Sequence, residues 1–482
     1  MFSVARVLGL MAMLMSVAHL APIATSLIYG DGTLWAFVIS MYFNFVCGLL
    51  IWVLTRRSNR ELKPRDGFLL VSLAWSGGAA FAAVPLMLVI NGLPFTDAYF
   101  ETMSGLTTTG ATVLVNLDTM PQAINLWRHL LQWFGGMGII VLAVAILPLL
   151  GIGGMQVYKA ETPGPMKDTK LTPRITETAK NLWLVYAGIT LVCILCLRLA
   201  GMSWFDAVNH AFATMSLGGF STHDSSVGYF NSVAVEMVIT FFMTVAAISF
   251  ATHFLALRGK SLRVYLQDSE AKSVLLILSA SCLGIALYLY GAGTYPSFWT
   301  ALRHVSFNLV SIATDCGFAS TDFGKWPIFA PMWMLFLSCI VCSSGSTGGG
   351  IKMIRTLILF RQAGREMQLL LHPSLANPLK IGGAVVPNRI VFAVLGFIFV
   401  YFMSVAVLTF ALTASGMDFI SAFSAIIACI NNMGPGLGQV GPAENFSSLT
   451  VFQKWICTTA MFIGRLEILS VLILFTPAFW RK

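Results

Sequence analysis

Charge is what this chain has least of. Only 10% of its 482 residues are Asp, Glu, Lys or Arg, against about 25% in soluble domains. So few charges cannot cover a globular surface, and a disordered chain, which needs charge to stay solvated, is excluded as well. The net charge of +9, from 29 basic and 20 acidic residues, is no nucleic-acid footprint: in so apolar a chain, where the charges lie matters more than their sum. Catalytic signatures are missing too. No HExxH, GxSxG or paired-aspartate motif occurs in any apolar run, which leaves an embedded enzyme without nucleophile or metal. The seven histidines (19, 129, 210, 223, 253, 304 and 372) show no ligand spacing. Nine cysteines include the pairs of LVCILC (Cys193, Cys196) and LSCIVC (Cys339, Cys342), both inside apolar segments without histidines nearby. These read as small apolar helix residues, not as a zinc site or a secreted disulfide scaffold.

What the chain has is apolar sequence, 57% of it, in runs of about 20 residues, the length that crosses a bilayer as a helix. Ten spans are expected near residues 7–28, 34–54, 67–90, 129–150, 181–200, 233–257, 273–290, 330–360, 390–414 and 451–475. The first has the look of a signal peptide, with Arg6 before an apolar core, but counts here as a span. Of the 29 basic residues, 22 fall on one face, in Arg6, the loops after spans two, four, six and eight, and the C-terminus. The positive-inside rule makes both termini cytoplasmic, and an even number of spans agrees.

The outer connections repeat. Sixteen-residue stretches read FTDAYFETMSGLTTTG (95–110), WFDAVNHAFATMSLGG (204–219), LRHVSFNLVSIATDCG (302–317) and FISAFSAIIACINNMG (419–434), so Gly110, Gly219, Gly317 and Gly434 recur every 109, 98 and 117 residues. Each copy reads as span, half-helix, glycine turn, span. About ten helical residues rise roughly 15 Å, half of a ~30 Å hydrocarbon core. The half-helix therefore enters from outside and stops near the midplane, and extended backbone climbs out. Such backbone is tolerated only inside protein or lining a watery cavity. Four copies on a pseudo-fourfold axis make a ring of carbonyls that can replace a cation's hydration shell, with half-helix C-termini pointing their negative ends at the ion. The expected fold is thus all-α and integral to the membrane. Two N-terminal helices (1–66) precede four pore repeats at 67–154, 155–257, 258–365 (with an interrupted helix) and 366–482.

TTTGAT, GGFSTH, CGFAST, NNMGPGLG and SSGSTGGGIK together resemble the Trk/Ktr/HKT superfamily of potassium transporters, most of all its bacterial Trk branch, over essentially the whole chain. That resemblance implies K+ uptake through a channel-like pore. It implies a filter over Thr107–Thr112, Ser216–Ser221, Thr314–Ala319 and Asn431–Gly436, with carbonyls of Thr108, Thr109, Leu217, Gly218, Asp315, Cys316, Asn432 and Met433 as ligands beside the four glycines. It further implies a homodimer in the bacterial inner membrane, controlled by a cytosolic nucleotide-binding regulatory subunit docked on the basic loops at 155–180 and 361–389. Asp315 and Cys316 depart from the family, which more often has small neutral residues there. The Asp315 carboxylate either raises local cation concentration or pairs behind the filter. A proton- or sodium-coupled symporter is the second functional reading.

Span 330–360 contains SSGSTGGGIK (343–352). It is no P-loop, because Lys352 is one place late and no hydroxyl follows it, so no nucleotide is expected on this chain. Three successive glycines (Gly348, Gly349, Gly350) each weaken a helix by roughly 1 kcal/mol relative to alanine. With Gly345, Ser346, Thr347 and Lys352 they are expected to form a gate below the filter, the alternative being a packing kink. Arg465, in FIGRLEIL with Glu467, is a candidate electrostatic part of that gate; otherwise a buried carboxylate away from the pore neutralises it. Asp97 and Asp206, each 13 residues before its glycine, read as helix caps rather than cation attractors.

Overall fold

The computed structural model describes residues 2–57, 64–141, 175–375 and 377–481. Basic residues Arg60, Lys63, Lys159, Lys167, Lys170, Arg174 and Lys482, the end of the span expected at 129–150 and most of the loop at 155–180 lie outside the described residues.

The described chain is almost entirely helical; its only strands form a hairpin, Lys380–Ile381 against Ala384–Val385. Two N-terminal helical segments, Phe2–Tyr29 and Leu34–Thr55, come first. They cross in backbone contact: a Cβ on Gly9 would sit 2.7 Å from the Gly48 carbonyl oxygen, and one on Gly48 equally close to the Gly9 oxygen. Small residues permit such approach where lipid supplies no hydrophobic drive between helices.

Four helix–half-helix–helix units follow. Their half-helices are Phe95–Leu106, Trp204–Ser216, Phe298–Ala313 and Phe419–Ile430. Local sequence starts them: Ser203 caps the second by accepting from the Asp206 N–H, and Asp418 caps the fourth through Ser421. The flanking outer helices are Pro64–Val89, Ile175–Leu199, Ser269–Gly291 and Asn388–Ala414.

The inner helices depart from the expectation of unbroken spans. Val233–Ala246 gives way to Phe250–Gly259 with a 94° bend, and Val451–Arg465 to Ile468–Phe475 with a 109° bend. The third, Phe329–Ile340 then Met353–Leu371, is interrupted over 341–352, as its glycines suggest. Among the described residues, six unbroken helices are long and apolar enough to cross a membrane, and eight spans result if each bent pair is one. The two remaining expected spans are this interrupted helix and Gln122–Val141. The first bend has a visible cause. The broken backbone at 247–250 bonds to the glycine loop instead of to itself, through Ser343 N–H to Ala247 O (3.0 Å) and Phe250 N–H to Gly345 O (3.1 Å).

Candidate functional site

The four glycine turns share one backbone conformation. Thr108, Leu217, Asp315 and Asn432 have φ of 53°, 53°, 63° and 59°, and the glycine two residues later has φ of 82°, 71°, 87° and 98°. Left-handed conformations cost an L-residue about 1–2 kcal/mol, so four copies demand a common cause. The residue between makes the same bond each time, back to the end of its half-helix: Thr109 N–H to Ser104 O, Gly218 to Ala213, Cys316 to Ser311 and Met433 to Ala428, all at 2.8 Å.

The turns close into a ring. A Cβ on Gly110 would overlap the carbonyl oxygen of Gly218, one on Gly219 that of Cys316, and one on Gly317 that of Met433. A Cβ on Gly434 would lie 2.9 Å from Thr109 O, which returns to the first repeat. Only glycine fits, because each backbone abuts the next repeat's carbonyl. Among the described residues, the twelve carbonyls of 108–110, 217–219, 315–317 and 432–434 accept one protein hydrogen bond between them, from Gln132 Nε2 to Gly218 O. Buried carbonyls are nearly always paired, so this cluster is built to face something other than protein.

A polar collar holds the ring from behind. Three half-helices place a polar residue nine positions before the filter glycine, and each ties down its own ascending strand. Glu101 accepts from Thr112 Oγ1 and Val113 N–H, both at 3.0 Å. His210 Nε2 lies 3.0 Å from Ser221 Oγ, and Asn308 Oδ1 accepts from Ser320 N–H at 3.1 Å. In the fourth repeat Ser424 Oγ does this for Leu437 N–H at 2.8 Å. Arg128, fully buried, pairs with Glu101 at 2.8 Å, donates to Ser221 O of the next repeat and lies over the Phe220 ring.

Outside the ring, the His223 imidazole stacks on Tyr229. Its Nδ1 is 2.5 Å from Asp118 Oδ1, and its Nε2 is 3.5 Å from Asp206 Oδ1. Burial works against the charged imidazolium, but the Asp206 and Asp118 carboxylates outweigh it and raise the pKa above the ordinary value of 6.5.

Below the ring lies the glycine loop, held on successive residues. Arg465 Nη1 donates to Thr347 O at 2.8 Å, Lys352 Nζ donates to Gly348 O, and Gly349 N–H donates to Asp315 Oδ2 at 3.0 Å. Thr347 Oγ1 bonds Met215 O at 3.0 Å. A Cβ on Gly349 would overlap Asn431 O, and one on Gly350 would come 2.7 Å from Ser338 O. The loop thus reaches three of the four repeats directly, and through Arg465, whose Nη2 bonds Gly135 O at 3.0 Å, the first.

Comparison with known proteins gives this arrangement a family. Residues 34–482 match TrkH, described as a cation transport protein. The chain belongs to the TrkH family. The Trk system potassium uptake protein TrkH of Vibrio parahaemolyticus is 47% identical over 483 residues, covering 100% of this chain and 99% of that protein. Those of Halomonas elongata and Escherichia coli are 46% and 45% identical, each over 98–99% of its length. The crystal structure of the potassium transporter TrkH from Vibrio parahaemolyticus matches with a TM-score of 0.92 at 44% identity, covering 100% of this chain and 99% of that one.

In this TrkH-family chain, the twelve residues expected to supply ligands form the ring, Thr112 and Ser221 of the expected stretches bond the collar instead, Thr347–Gly350, Lys352 and Arg465 meet beneath the ring, and Gly345 bonds the break at 247–250. Three expectations need correcting. Arg465 and Glu467 do not share a helix, because the last inner helix ends at Arg465 and Glu467 follows with φ of 60°. Arg465 finds two backbone carbonyls rather than a carboxylate; Glu467 pairs with Arg355 at 3.1 Å. Asp97 is no cap: it pairs with Lys454 at 2.8 Å, joining the first and fourth repeats. Asp206 does sit in the first turn of its half-helix but also binds Ser203, Thr222 and His223. Glu101, His210, Asn308, Arg128 and Gln132 were not singled out. The signal for the first three was available, since Glu, His and Asn occupy the seventh place of three aligned sixteen-residue stretches.

Proposed function

We propose that this chain takes up K+ across the bacterial inner membrane, with both termini cytoplasmic, through a pore whose filter is the ring of twelve carbonyls. Thr108, Thr109 and Gly110, Leu217, Gly218 and Gly219, Asp315, Cys316 and Gly317, and Asn432, Met433 and Gly434 supply the ligands. The observation that carries this reading is the ring of twelve carbonyls of which, among the described residues, only Gly218 O has a protein partner, so that it offers a dehydrating cation oxygen on all four sides. The relatives' names as potassium uptake proteins support the choice of ion.

The gate is the loop at 343–352, with Gly345 and Ser346 at its near end, the glycines under the ring, and Lys352 and Arg465 as its clamps. The loop's contacts with repeats two, three and four support reading it as the piece that moves for an ion to pass. The functional unit is a homodimer regulated by a cytosolic nucleotide-binding subunit. That partner docks on basic surface including 361–389, where Arg361 and Arg365 tie the cytoplasmic helix to Lys380 O and Asn388. The chain itself acts as a transporter, with K+ as cargo.

The test is Rb+ tracer uptake into proteoliposomes holding the purified chain, under opposed proton gradients. Uptake that follows the K+ gradient whatever the proton gradient supports a conducting pore. Uptake reversed by the proton gradient would establish a coupled symporter, and no uptake above empty vesicles would sink the proposal.

A further inference from the structure

The Asp315 side chain does something the ring does not require. Its backbone carbonyl belongs to the ring, but its carboxylate hangs below, fully buried, and uses only half its capacity. Oδ2 accepts the Gly349 N–H and the Cys342 thiol lies beside the carboxylate, while Oδ1 accepts no N–H or O–H. The equivalent residue of the next repeat, Asn432, shows the same feature. Its amide nitrogen donates to Thr109 Oγ1 and Met461 O, both at 3.0 Å, and its Oδ1 is buried without a partner. That Oδ1 lies 3.3 Å from where a Cβ on Gly349 would be. The two side chains therefore meet one gate residue from adjacent repeats. Thr108, equivalent in the first repeat, carries a third unpartnered oxygen, and Leu217 in the second has none to offer.

A buried carboxylate needs positive charge or several donors. Here the positive charge is held by the loop: Lys352 Nζ on Gly348 O and Arg465 Nη1 on Thr347 O flank the N–H that Asp315 accepts. Gly349 and Lys352 belong to the same loop, so its withdrawal removes both from the carboxylate, which stays behind on the filter segment. Arg465 stays on its own helix, so what must be replaced is the charge of Lys352 and the Gly349 N–H, by a group that is positive, small and able to shed water in favour of oxygen ligands.

We propose that Asp315 Oδ1 and Oδ2, with Asn432 Oδ1, form a side-chain cation site at the inner end of the filter, covered by the Gly349 N–H when the loop is in place and taken by a K+-sized cation when it leaves. The proposal rests on the potassium-pore reading. It makes Asp315 a specificity-determining residue through its carboxylate, apart from its backbone carbonyl.

Ba2+ is the probe, being close to K+ in size and doubly charged, so a carboxylate favours it strongly. Rb+ flux through the full-length chain in proteoliposomes is titrated with Ba2+ on the face carrying the termini. Asp315→Asn should raise the half-blocking concentration about tenfold, equivalent to about 1.4 kcal/mol. Asn432→Asp should lower it, and the Asp315→Asn, Asn432→Asp double variant should return it toward wild type. An unchanged half-blocking concentration in Asp315→Asn overturns the site. If that variant does not purify folded, an unchanged value in Asn432→Asp overturns it equally. Wild-type protein without Rb+ flux would remove the pore reading itself, whereas normal flux with unaltered block removes only this site.

Discussion

Replacing Arg465 separates a latch from a charge barrier. Its two terminal nitrogens reach different carbonyls, Thr347 O in the glycine loop at 2.8 Å and Gly135 O in the first inner helix at 3.0 Å. Only the first of these bonds is lost when the loop leaves. A hydrogen bond to a charged group contributes about 1.5–3 kcal/mol, so Arg465→Ala should shift the loop's closed-to-open equilibrium roughly 10- to 150-fold toward open. The rise in flux is capped by how strongly the wild type favours closure. Arg465→Lys keeps the charge, but its single nitrogen cannot hold both carbonyls as the planar fork does. A latch therefore predicts that lysine behaves nearly like alanine, while a pure charge barrier predicts that lysine behaves like wild type. Rb+ uptake by partner-free proteoliposomes is the assay, with monodispersity and thermal unfolding as checks on folding. A folded alanine variant with wild-type uptake would refute the reasoning, since it would mean that the Thr347 contact does not hold the gate.

Three further outcomes follow from the same geometry. Gly110→Ser places a side chain against Gly218 O at a φ of 82°; it should weaken the preference for K+ and Rb+ over Na+ and Li+, and unchanged relative fluxes would remove Gly110 from the filter. Shortening the loop within 345–350 should raise flux without altering ion preference, because the filter lies elsewhere; lower flux in a folded deletion would favour a packing role. The His223 pKa is raised, so the stability that its charged form lends the outer mouth is complete below about pH 6.5 and is lost as pH rises through the raised value. Thermal stability of the wild type should accordingly fall across that alkaline-going window, and His223→Ala should flatten the fall; an equal slope in both would assign the pH effect to other groups.

Much of the fold was legible because its punctuation is local. A half-helix ending in glycine at a constant offset needs only residues close in sequence, and the triple glycine at 348–350 announces its own break. The other two breaks carry no such mark. Neither Ile248–Ser249 nor Leu466–Glu467 contains glycine or proline; the first opens because the glycine loop, about a hundred residues away in sequence, takes over its backbone hydrogen bonds. Charge partners were hidden in the same way. Arg128 is buried against Glu101 of its own repeat and donates to Ser221 O of the next, and Lys454 pairs with Asp97 across the fourth and first repeats. Asp97 illustrates the limit: the first turn of a half-helix is a sound place for a cap, and a lysine 357 residues away takes it instead.

The central claim, that the four turns form a cation filter, is tested most directly by locating the ion. Crystals of this chain grown in RbCl, with data collected at the rubidium absorption edge, would reveal Rb+ by anomalous scattering. The account predicts peaks on the pseudo-fourfold axis, within carbonyl-coordination distance of Thr108–Gly110, Leu217–Gly219, Asp315–Gly317 and Asn432–Gly434. Rb+ bound reproducibly elsewhere, with the ring unoccupied in protein that transports Rb+, would contradict it.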